Sequence, residues 1–158
     1  MDQNKLLEIV REILIAIPYR PFFCLPLSAT LYAVLKDNYQ VEAKLVTGNL
    51  LYKDNYIFKH EFCISKAKDK TYQEWAGHAW VEIEELICDL SIFRTIYSDK
   101  FTKSCKQELI DYFGEGRGCL LASQQQLNLC GLTYNAVEYL SDDLATGIIQ
   151  GIDLLLKA

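Results

Sequence analysis

Apolar positions recur at helical spacing over residues 2–17, where Leu6, Leu7, Ile9, Val10, Ile13, Leu14 and Ile17 form one broad stripe. Glu8, Arg11 and Glu12 face away from it, so the pattern predicts an amphipathic helix with Asp2 as its cap. Pro18 and Pro21 end that helix and leave 18–23 as a stiff aromatic linker. Helical spacing resumes with Leu27, Thr30, Leu31, Val34 and Leu35, up to about Lys36. Pro26 suits only a first turn, which places Cys24 at or just before a helix N-terminus. Residues 40–51 and 55–65 read as strands, and 66–71 as a polar loop. Farther on, 104–113 reads as a helix, 119–122 as a short strand and 132–140 as a longer, alternating one. A closing helix over 142–156 has Ser141 or Asp142 as its cap, whereas 91–101 fits neither period.

Residues 77–91 form the most informative stretch. His78, Trp80 and Glu82 alternate with Ala79, Val81 and Ile83, which suits a strand. The charged break at 82–85 predicts a turn, and 86–91 a returning strand. His78 and Asp89 are an odd number of positions apart, so an even-length loop puts them on one face. A four-residue loop pairs them directly. Otherwise they lie one diagonal step apart.

Composition narrows the function classes. At 158 residues the chain is expected to be a single domain, 1–158, with one sizeable core. Sixteen basic against twenty-one acidic residues give a net charge of −5, against nucleic acid as a partner. No apolar run has the length of a membrane span, and the first residues lack the pattern of a signal peptide. The expected location is therefore the cytoplasm, with no membrane partner. Six cysteines at irregular spacing, without a CxxC pair, are expected to be reduced thiols, with no disulfide framework. No ligand spacing suggests a metal site, and the glycine-rich turn at 114–118 lacks the Lys-Ser/Thr of a nucleotide loop. No cofactor is expected.

Cys24 is the cysteine whose local context favours reactivity. A helix N-terminus offers a positive dipole end and unpaired N–H groups, which favour thiolate and can stabilise an oxyanion. An imidazole facing a carboxylate, as His78 faces Asp89, supplies the base and its orienter. These residues, within Cys24-Leu25-Pro26-Leu27-Ser28-Ala29, Gly77-His78-Ala79-Trp80-Val81-Glu82 and Cys88-Asp89-Leu90-Ser91, resemble the transglutaminase-like branch of the papain-like cysteine enzymes. The resemblance covers roughly residues 20–95 and extends to the bacterial transglutaminase-like peptidases that process peptide precursors. It implies an α+β fold, with an antiparallel sheet of five or six strands packed against a central helix that carries the Cys at its start.

The resemblance also implies roles. Cys24 is the nucleophile, His78 its base and Asp89 the orienter. The backbone N–H of Cys24 gives one oxyanion donor. A second comes from upstream, with Tyr19 the candidate beside Arg20. Trp80 is either a wall of the substrate cleft or sheet packing, and His60 either an exposed residue or a cleft residue. The expected reaction is hydrolysis of an amide or peptide bond through a thioester, on a peptide or small amide substrate. Transfer of the acyl group to an amine, as in transglutaminases or arylamine acetyltransferases, is the alternative within the same chemistry. A non-catalytic binding module on the same fold is the alternative outside it. The sequence leaves the oligomeric state open.

Overall fold

The computed structural model describes residues 1–66, 76–115 and 118–152. Most of the loop expected at 66–71, the middle of the glycine-rich turn and the end of the closing helix lie outside the described residues. Helix α1 (Gln3–Ala16) buries Leu6, Ile9, Val10 and Ile13, and the Asp2 carboxylate caps it by accepting from the Lys5 N–H at 2.9 Å. Helix α2 (Cys24–Tyr39) begins at the cysteine and is buried along most of its length, as its apolar content requires. It runs past Lys36 until Gln40 turns left-handed, with φ 51°.

Strand β1 (Lys44–Tyr52) organises the sheet. Along one side it pairs with β6 (Leu132–Leu140); on the other its first half pairs with β3 (His78–Ile83) and its end with β2 (Asn55–Phe58). Strands β4 (Leu86–Asp89) and β5 (Leu120–Ser123) extend the sheet beyond β3, and all pairings are antiparallel. Among the described residues, six strands and flanking helices make a mixed α+β architecture.

Strand β2 is shorter than its apolar pattern predicts. Beyond it, side chains draw off the backbone groups that a ladder would use. Asn49 Oδ1 accepts from the His60 N–H at 2.7 Å. The Glu138 carboxylate accepts from the Ile64 and Ser65 N–H groups at 2.8 and 3.3 Å, fixing a 3-10 turn at Ile64–Lys66. Two further helices were not legible as such, α3 (Ile92–Ile96) and α5 (Gln124–Leu129). Between them lies α4 (Lys106–Phe113), and α6 (Asp142–Gln150) follows β6 with Ser141 as its cap. The start of α5 has a reciprocal capping box between Ser123 and Gln126.

The sheet is apolar on both faces. Leu45 and its partner Val81 face a core shared with α1, α2 and α6. Val46 and its partner Trp80 face a second core, with Ile92, Phe93, Leu109, Leu132 and Tyr134. The β1–β6 ladder shifts register between Thr47 and Gly48, and there β6 comes very close. A Cβ on Gly48 would lie 2.0 Å from the Asn135 carbonyl oxygen and 3.0 Å from the Trp80 ring. Gly48→Ala is therefore expected to destabilise the fold by about 3 kcal/mol, because backbone must move. Gly118→Ala, whose nearest new contact is 3.6 Å away, is the comparison. Denaturant midpoints of the two variants check this, and equal midpoints would refute the steric account.

Candidate active site

The hairpin that carries His78 and Asp89 is tighter than its charge pattern predicts. Ile83 pairs with Leu86, so the loop is the two residues Glu84 and Glu85 rather than four. Glu84 takes a φ of 57°, the left-handed value that two-residue hairpin loops require. Glu82 stays in the ladder opposite Ile87, and its carboxylate accepts from Trp80 Nε1 at 3.3 Å. Because Val81 faces Cys88, Asp89 lies one diagonal step from His78 on the same face. The side chains nevertheless meet.

His78 Nε2 lies 2.6 Å from Asp89 Oδ2, and both residues are at most 1% exposed. The Tyr134 hydroxyl donates to the same Oδ2 at 2.7 Å. Oδ1 accepts from the Ser91 N–H at 3.0 Å, the Ser91 hydroxyl at 3.2 Å and the Ile92 N–H at 3.1 Å. Burial alone would raise the Asp89 pKa, but the imidazolium and these donors outweigh it and hold the carboxyl below its ordinary value. Burial likewise opposes charge on His78, yet Asp89, seconded by Cys24, carries the imidazole from 6.5 up to about 10. Tyr134 is pushed well above its usual range by burial and by Asp89, so it remains a donor.

Cys24 is the first residue of α2, 8% exposed, and lies close enough to His78 to help raise the imidazole pKa. With Nε2 engaged by Asp89, Nδ1 is the ring atom left for the thiol. Phe23 precedes the helix and gives it no side-chain cap, and Pro26 has no N–H to offer. The N–H groups beside the thiol are thus uncapped by side chains. The structure thus pairs His78 with Asp89 and sets Cys24, at the start of α2, within electrostatic reach of the imidazole.

Other expectations fare differently. Tyr19 is 60% exposed, and its hydroxyl donates to the Arg94 carbonyl at 2.6 Å. Trp80 is fully buried, edge-on to Tyr134 at 5.0 Å and tilted against His78 at 6.2 Å. It packs the site from behind and lines no open cleft. His60 is part-buried, with burial lowering its pKa. None of the six cysteines is in a disulfide, and burial, joined by Cys119 and Asp89, pushes the Cys88 thiol well up, keeping it protonated. Among the described residues no cluster of three or more His, Cys, Asp or Glu is placed to hold a metal.

Several contributors were not foreseen. Phe58 stacks on the His78 ring, with centroids 4.8 Å apart and planes 9° from parallel. Tyr134 comes from β6, and only the tertiary fold reveals that it reaches Asp89. Helix α3 holds the linker before Cys24: the Arg94 guanidinium donates to the Leu14, Ile17 and Pro18 carbonyls, and Thr95 Oγ1 accepts from the Phe22 N–H at 3.0 Å. One local signal was present in Asp89-Leu90-Ser91, since an aspartate that bonds the backbone two residues on forms an Asx turn.

No family model, curated protein or solved structure matches this chain.

The two titrating partners act in opposite pH directions. The His78 pKa is raised on folding, so its contribution is complete below 6.5 and is lost as pH rises towards about 10. The Asp89 pKa is lowered, so its contribution is present above 3.8 and is lost as pH falls below that. The stability difference between the wild-type chain and Asp89→Asn is expected to peak between those limits, shrinking on both sides. Thermal melts from pH 3 to 10 measure it, and a pH-independent difference would contradict the pairing. Tyr134→Phe, which removes one donor to a buried carboxylate, is expected to cost about 2 kcal/mol in denaturant unfolding.

Proposed function

We propose that this chain is a cysteine-dependent hydrolase of amide or peptide bonds, transglutaminase-like in fold and acting through a thioester. The observation that carries the reading is the buried His78–Asp89 pair, joined at 2.6 Å, with Cys24 at the start of α2 close enough to influence the imidazole. Cys24 Sγ attacks the carbonyl carbon as thiolate, while protonated His78 waits beside it. The backbone N–H of Cys24 faces the developing oxyanion at the uncapped start of α2. His78 gives its proton to the amine nitrogen as the C–N bond breaks, leaving the thioester. Water then adds to the thioester carbonyl, losing its proton to His78, and the C–S bond breaks to release the acid and restore the thiolate. Asp89 keeps Nε2 bonded throughout, so the other ring nitrogen stays aimed at sulfur. The proposed setting is the cytoplasm and the proposed substrate a peptide or small amide.

Site-resolved alkylation with iodoacetamide, followed by mass spectrometry, tests the nucleophile without knowledge of the substrate. Cys24 is expected to react faster than the other five cysteines at neutral pH, and His78→Ala to slow it markedly. If Cys24 reacts no faster than the rest, the binding-module reading takes precedence. Once a substrate is found, replacing His78 is expected to lower kcat by about 10²–10⁴-fold. Activity is expected to fall as pH rises through about 10, where His78 gives up its proton. Asp89→Asn removes the charge that raises that value, so it moves this alkaline limb to lower pH. An unmoved limb would exclude Asp89 as the partner of the catalytic imidazole.

A further inference from the structure

We infer that Phe22 and Phe58 form an aromatic platform that selects substrates with an aromatic or large apolar group near the scissile bond; this rests on the proposed cysteine chemistry. Cys24 is only 8% exposed, so a reacting carbonyl must approach over whatever borders the thiol. Phe22 lies two residues before it. Its backbone has a φ of 59°, a left-handed conformation that bulky residues rarely adopt, and its N–H is tied to the buried Thr95 hydroxyl. Despite that restraint, the residue remains 52% exposed.

The ring is not isolated. It meets Phe58 edge-on, with centroids 6.5 Å apart and planes at 88°, and Phe58 in turn lies flat on the His78 imidazole. Phe101 backs Phe58 at 6.2 Å. An aromatic surface therefore runs from solvent to the catalytic imidazole without interruption. Glycine would satisfy the backbone at position 22 with less strain. What phenylalanine adds is an exposed ring that meets Phe58, two residues before the cysteine. Such a surface attracts aromatic and apolar groups by stacking and burial, and its rings offer no hydrogen bond to a polar side chain.

Two chloroacetamides of similar length test this without turnover, one carrying an N-phenethyl group and one an N-hydroxyalkyl chain. In each reaction the Cys24 thiolate forms an S–C bond and chloride leaves. Rates at Cys24 are resolved by mass spectrometry and divided by each probe's rate with glutathione. The aromatic probe is expected to be favoured about tenfold, the yield of one aromatic contact. Phe22→Ala should bring that ratio close to one, and Phe22→Tyr should preserve it. A ratio near one in the wild-type chain, or one unchanged by Phe22→Ala, overturns the platform while leaving the nucleophile intact. If Cys24 outpaces glutathione with neither probe, the cysteine chemistry fails and the platform falls with it.

Discussion

The structure depends on the ionised carboxylate of Asp89, which has no exposed surface. Burying such a charge without partners costs several kcal/mol or more, so its position is tenable only where donors converge. Here they come from four places: His78 on β3, Tyr134 on β6, the Ser91 backbone and hydroxyl after β4, and the first N–H of α3. The two oxygens divide these tasks. Oδ2 serves the imidazole and the phenol, while Oδ1 organises the chain that follows. A substitution at this carboxylate thus disturbs more than one ionisable pair.

The Oδ1 side explains how the acid is linked to Cys24, far away in sequence. By accepting from Ser91 and Ile92, Asp89 fixes the start of α3. Arg94 on that helix donates to the carbonyls that close α1, and Thr95 accepts the Phe22 N–H. The linker is thereby held on the side facing α3 before the chain enters α2 at Cys24. A thiol proposed to act with an imidazole needs such positional support. The network connects Asp89 through α3 to the segment that leads into Cys24.

The sequence made α1, α2, β3 and β4 legible because each has a clean period and explicit punctuation. Cys24 at a helix start followed from Pro26 and the spacing of Leu27, Leu31 and Leu35, and the shared face of His78 and Asp89 followed from parity. Loop length was misjudged because Glu82 and Glu85 look alike in sequence, whereas Glu82 keeps a ladder position and a bond to Trp80. Residues 91–101 have no period because α3 is too short to show one and is buried on several sides. Tyr134 was invisible for a different reason. Alternation assigns it a face, but only the β1–β6 register decides what that face meets. Tyr19 was chosen by proximity in sequence, and its bond to the Arg94 carbonyl was not legible there.

That register depends on a residue with no side chain. Gly48 stands opposite His78 on one side and Ala136 on the other, at the point where the β1–β6 ladder shifts. The Asn135 carbonyl occupies the space that a Cβ at position 48 would take, and the Trp80 ring closes in from a third direction. Asn135 is the immediate neighbour of Tyr134, so this close approach also sets where β6 delivers the phenol. Trp80 then meets the Tyr134 ring edge-on, and the hydroxyl reaches Asp89 at 2.7 Å. The missing Cβ is therefore part of the site's geometry: it lets β6 come near enough for Tyr134 to complete the shell of donors around the buried charge.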